Sequence, residues 1–149
     1  WVNERLRRGL SPAEAERHAN ASSARPGHSE HQLGTTADLV HRDTDGMFYE
    51  GWESARIADS APMRWLAANA HRFGLALSYG RETTAVTQYI WEPWHYRFVG
   101  VEAADTLHRC DLALEAYLRA RYGEPEPPAF ELPAPEATPP AGGKRKTAH

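Results

Sequence analysis

Two short pieces of this chain concentrate its metal-seeking side chains: residues 29–38, Ser-Glu-His-Gln-Leu-Gly-Thr-Thr-Ala-Asp, and residues 92–95, Glu-Pro-Trp-His. His31 and Asp38 stand seven residues apart with Gly34 between them. A continuous strand would hold their side chains about 23 Å apart. A loop that turns at Gly34 and then enters a strand brings both to one ion. His95, at the start of another expected strand, is well placed to supply a third donor. Two imidazoles and one carboxylate suit Zn²⁺ and leave a fourth position for water. Any fold this chain adopts must make these distant pieces converge.

Glu92 precedes His95 by three residues, and Pro93 fixes one backbone angle between them. Its carboxylate can turn to the open side of such a site without binding the ion. The expected role is general base toward water and then general acid toward a leaving amine. Each residue alone has a plainer reading. Asp38 fits a strand end, Glu92 a surface position, and Trp94 and Tyr96 a core. His18, His41, His71, His108 and His149 show no such pattern. The signal is the joint occurrence.

At 149 residues and 16.7 kDa the chain has room for one domain with a core. A formal net charge of -3 supplies no basic footprint and argues against nucleic acid as a partner. The single cysteine, Cys110, excludes an internal disulfide framework. No apolar run approaches the ~20 residues of a membrane span. The first residue is Trp1, and the opening residues read as mid-helix, so the expectation is a fragment or processed form.

In chain order, residues 1–9 resemble the end of an amphipathic helix stopped by Gly9. Ser11, Pro12 and Glu14 form a capping box that starts a helix running to about Asn20. Residues 21–28 are a loop. Residues 35–40 predict a strand with Thr36, Asp38 and Val40 on one face. Residues 43–46 read as a turn and 47–57 as weakly helical. Residues 60–73 predict a helix, with Met63, Leu66, Ala67, Ala70 and Phe73 at helical spacing and Gly74 beyond its end. Residues 75–79, 84–89 and 94–99 predict strands. In the last, His95 and Arg97 share the face opposite Trp94, Tyr96 and Phe98. A helical region over 101–122 follows, recapped at Asp111. Domain 1–123 then gives way to 124–149, a proline-rich tail expected to be disordered. Seven of the chain's 11 prolines lie there, ahead of Lys144, Arg145 and Lys146.

Ser29, His31, Gly34 and Asp38 keep the spacing of the motif Ser-x-His-x-x-Gly-x-Ala-x-Asp, with Thr36 where Ala is usual. Together with residues 92–100, Glu-Pro-Trp-His-Tyr-Arg-Phe-Val-Gly, the chain resembles the VanY-type D-alanyl-D-alanine carboxypeptidases. This zinc peptidase group also contains lysostaphin-type peptidases and the hedgehog domain. The similarity runs over about residues 1–118. It implies an α+β fold in which a small antiparallel sheet is flanked by helices, here without its N-terminal part. It also implies one Zn²⁺ per chain held by His31, Asp38 and His95, with Glu92 as catalytic base. Ser29 would lie near the substrate's amino side, and Tyr89 and Trp94 in the pocket wall. The implied substrates are peptidoglycan stem peptides, cut before the terminal D-alanine, and the implied site of action is extracytoplasmic.

The family also places an arginine on a strand ahead of the first helix. The expectation is that this form lacks that segment, and loss of a preorganised cation typically costs about 10²–10³ in rate. Arg97 is a conceivable partial substitute, although a structural arginine paired with an acidic neighbour is the simpler reading. The expectations are thus three. A D,D-carboxypeptidase leads, an L-alanyl-D-glutamate endopeptidase of the same group is a near alternative, and a zinc-containing wall-binding module without turnover is a third. The sequence leaves the oligomeric state open.

Overall fold

The computed structural model describes residues 1–42 and 53–123. The helical start 1–9 is seen as α1, Val2–Arg7, and the capping box works as read. In α2, Pro12–Asn20, the Ser11 hydroxyl accepts from the Glu14 backbone N–H while the Glu14 carboxylate accepts from the Ser11 N–H. Ala15 and Ala19 face inward from it. Downstream, the Ala21 carbonyl accepts from the Ile90 N–H at 2.9 Å, which ties the end of α2 to the stretch leading into the Glu92 loop.

Among the described residues, three short strands form an antiparallel sheet in the order β1-β3-β2: β1, Thr36–Asp38; β2, Leu75–Leu77; and β3, His95–Phe98. Each is shorter than its sequence window. The register sets Asp38 opposite His95, Thr36 opposite Arg97, and Ala76 opposite Arg97 on the other side. Opposite residues in a ladder share a face, so the expected alternation places Asp38, His95 and Arg97 together.

Helices flank this sheet. They are α3, Glu53–Asp59; α4, Ala61–Asn69; α5, Thr84–Thr87; α6, Val101–Cys110; and α7, Leu114–Tyr122. Three expectations are corrected here. The helix expected over 60–73 is α4 followed by a 3-10 turn, Ala70–Phe73, which ends at Gly74. Ser60, which by type and position could cap this helix, instead donates its hydroxyl to the Ile57 carbonyl. Residues 84–89 are not a strand: 84–87 form α5, whose threonines suggested β structure but lie at no sheet edge. Asp111 recaps nothing. It ends α6 in a left-handed conformation (φ 50°), and α7 begins after Ala113. The residues read as a turn over 43–46, most of the stretch read as weakly helical, and the proline-rich tail lie outside the described residues.

Two apolar clusters hold the layers together. Ile57, Met63 and Trp94 pack with Val40 and Leu66; Ala76, Leu107 and Leu114 pack with Val99, Tyr117 and Leu118. The first anchors the residue beside His95, and the second seats α6 and α7 on the sheet. Gly74 (φ 76°) is required where the 3-10 turn enters β2. A Cβ there would stand 2.7 Å from the Phe98 ring and 3.1 Å from the backbone of Gly100. Among the described residues, no helix is long and apolar enough to cross a membrane.

Candidate metal centre

A 3-10 turn, Glu30–Leu33, opens the site. Ser29 caps it, its hydroxyl accepting the His31 N–H, and Gly34 closes it in the left-handed conformation (φ 70°). The chain then enters β1, which carries Asp38 to the register position facing His95. This is the loop-then-strand route that the spacing demanded.

The loop before β3 is held from three sides. The Glu92 N–H donates to the Tyr79 carbonyl, the His95 N–H donates to the Glu92 carbonyl, and the Ser54 hydroxyl donates to the Trp91 carbonyl. Glu92 and His95 are consequently buried, at 7% and 4% exposure, whereas His31 and Asp38 are open to solvent.

His31, Asp38 and His95 offer one donor atom each, all within 4.8 Å of one another. Asp38 Oδ1 lies 3.4 Å from His31 Nε2 and 3.2 Å from His95 Nδ1. Ligands of a tetrahedral zinc stand about 3.3 Å apart when bonds are about 2.0–2.1 Å. Both contacts to Asp38 match that spacing, and the two-nitrogen, one-oxygen donor set suits zinc. One buried wall and one exposed side leave room for a further ligand. The residues present therefore fit the ion.

Glu92 Oε2 is 3.7 Å from His95 Nδ1. Burial pushes its carboxyl up to about 7, with Asp38 adding to the rise and His95 opposing it. Burial alone would lower His95, but bonds to Asp38 and Glu30 outweigh it and raise the ring to about 9.

Of the other expected site residues, Tyr89 stacks on Tyr79 (centroids 4.5 Å), which in turn leans on the His95 ring at 4.5 Å. Burial and the nearby Glu92 and Glu30 carboxylates raise the Tyr89 hydroxyl above its ordinary range. Trp94, expected in a pocket wall, is buried with Ile57 and Met63 in the core, where it backs the Glu92 loop.

Sequence reasoning missed Glu30, Ser78 and Tyr79. Glu30 accepts hydrogen bonds from the Ser78 hydroxyl (2.7 Å) and from Arg97 Nη1 (3.0 Å), and contacts His95 Nε2 at 3.1 Å. Burial opposes its ionisation, but these three partners hold its carboxyl below the ordinary range. Arg97 is thus the structural arginine of the simpler reading. The available signal was its place on the His95 face, which requires an acid within reach.

The chain is similar to several known proteins. A D-alanyl-D-alanine carboxypeptidase of Enterococcus faecalis is 39% identical over 117 residues, 78% of this chain and 40% of its own length. The structure of VanYB in complex with D-alanine-D-alanine superposes with a TM-score of 0.63 at 39% identity, covering 79% of this chain and 59% of that one. A variant of the vancomycin-resistance D,D-pentapeptidase VanY, from a VanB-type cassette and in complex with Zn(II), gives 0.61 at 39% identity, over 78% and 60%. The chain spans about 40% of the length of the curated E. faecalis relative. Its residues 3–101 match the family described as VanY, D-alanyl-D-alanine carboxypeptidase, and the chain belongs to that family.

Proposed function

We propose that this chain is a zinc-dependent D,D-carboxypeptidase domain that removes the terminal D-alanine from peptidoglycan stem peptides outside the cytoplasm. The observation that carries the reading is the convergence of His31, Asp38 and His95 beside a buried carboxylate with a raised pKa. These three residues would hold one ion per chain. Zinc bound there supplies Lewis-acid activation of water and polarisation of the scissile carbonyl.

Glu92 takes the proton of the attacking water and passes it to the leaving D-alanine amine. A carboxyl near 7 is suited to both halves of that transfer, because it neither holds nor releases the proton too strongly at neutral pH. Tyr89, stacked on Tyr79, forms the apolar wall beside the reacting centre, and Trp94 supports the wall from the core. Ser29 borders the substrate's amino side while its oxygen caps the turn that carries His31.

Product analysis on a synthetic pentapeptide ending in D-Ala-D-Ala tests the proposal. Release of free D-alanine, with zinc present and lost on chelation, is the expected result. Cleavage inside the peptide would transfer the reading to an endopeptidase of the same group. Zinc uptake with no cleavage would leave a binding module.

A further inference from the structure

We propose that Glu30 is a positioning residue that fixes the tautomer of His95 and so aims its Nδ1 lone pair into the metal centre. This rests on the proposed metal-binding role of His95 and adds a residue to which no role has been given.

Glu30 Oε1 accepts from the Arg97 guanidinium at 3.0 Å, and Oε2 accepts from the Ser78 hydroxyl at 2.7 Å. Neither partner can be turned to receive a proton from the carboxylate without losing its own bond. Oε2 also lies 3.1 Å from His95 Nε2, so that nitrogen must carry the hydrogen. Were Nε2 bare, its lone pair would face a carboxylate oxygen at contact distance, with the His95 side chain only 5% exposed and Glu30 18%. Water cannot relieve such a clash there. With the proton held on Nε2, a neutral ring presents a free lone pair at Nδ1. Nδ1 faces Asp38 Oδ1 at 3.2 Å, the separation of two ligands of one ion, so zinc between them would take the place of the proton that Nδ1 would otherwise carry toward that carboxylate.

Arg97 and Ser78 keep the carboxylate from following the ring. They grip it from β3 and from the residue just beyond β2, respectively. The same four-residue turn therefore supplies one ligand, His31, and orients another 65 residues from Glu30 in sequence. An arginine–glutamate pair serving stability alone would need neither the shared oxygen nor the ring. Partners of this kind typically tune metal affinity by about 10–100-fold.

Two measurements test the inference. The first is zinc affinity of Glu30→Gln and Glu30→Ala at pH 7.5, read by competition with a chromophoric chelator. Both are expected to bind about 10–100-fold more weakly than the parent while retaining its far-ultraviolet circular dichroism. A folded variant with parental zinc affinity would overturn the inference, since a purely structural pair changes stability and leaves the folded site's affinity alone. The second needs no variant: a long-range proton–nitrogen correlation spectrum of the zinc-loaded parent. The expected His95 ring carries its proton on Nε2, slowly exchanging; a proton on Nδ1 overturns the inference even if both variants fail to fold. A parent that takes up no zinc would sink the proposed function instead. The same spectrum of the metal-free protein at alkaline pH, where the ring holds one proton, would then still decide between Nε2 and Nδ1.

Discussion

Replacing Glu92 by Gln in the metal-free protein should stabilise it, and by an amount that depends on pH in a calculable way. The Glu92 side chain is 9% exposed, and burial raises its carboxyl from 4.5 to about 7. At about 1.4 kcal/mol per pH unit, keeping this group ionised costs the folded state about 3 kcal/mol. The sign follows from proton counts. Between pH 4.5 and 7 the folded protein binds more protons at this site than the unfolded chain, so stability falls as pH rises through that window. Below it the carboxyl is neutral in both states and Gln is nearly equivalent. Above it Gln removes the whole penalty. Urea unfolding in the presence of a chelator, run on parent and variant from pH 4.5 to 8, reads the difference directly. The advantage of Glu92→Gln should grow from near zero to about 3 kcal/mol over this range. A variant less stable than the parent at pH 8 would refute the reasoning, because Glu92 would then be a net stabilising partner of His95. The same substitution should leave zinc binding intact and lower D-alanine release by about 10²–10⁴, the usual contribution of a positioned acid–base group.

Other consequences follow from the same geometry. Zinc must displace a proton from His95 wherever that ring, raised to about 9, is charged. Apparent zinc affinity should therefore climb about tenfold per pH unit from 7 to 9 and then level off, with proton release visible by calorimetry in buffers of different ionisation enthalpy. An affinity that is flat over this range would contradict the raised pKa of His95, and one that stays flat down to about pH 4 would contradict histidine ligation altogether. In the core, Ile57 is fully buried against Met63 and Trp94. Ile57→Ala should cost about 2–5 kcal/mol in chemical denaturation, and a cost below 1 kcal/mol would mean that this cluster is not packed as described.

Much of the site was legible in the sequence because its donors sit in two motifs whose spacing dictates the backbone path. Gly34 between His31 and Asp38 called for a turn into a strand, and the left-handed Gly34 supplies it. The capping box at Ser11 was equally readable, since all of its bonds are local. Local reading failed where composition and context disagree. Thr84 and Thr87 carry β-branched side chains, yet their segment closes a local helical turn in which the Thr87 N–H donates to the Thr83 carbonyl and the Gln88 N–H to the Thr84 carbonyl. Asp111 looked like an N-cap, but the left-handed position that ends α6 accepts Asp more readily than most residues. Glu30 was invisible for a different reason. Its partners Ser78, His95 and Arg97 lie 48, 65 and 67 residues away, and only the folded sheet brings them to one carboxylate. Trp94 shows the converse, a motif residue whose place the packing of Ile57 and Met63 decides.

The central claim is that two rings and one acid from separate stretches of chain grip a single ion. Metal content by elemental analysis, combined with zinc-edge X-ray absorption, examines it most directly. The account predicts one zinc per chain with two imidazole nitrogens and carboxylate oxygen in its shell, and loss of the metal in His95→Ala. Zinc retained at full stoichiometry when His31, Asp38 and His95 are all replaced, or a preparation saturated with zinc that holds none after dialysis, would contradict it.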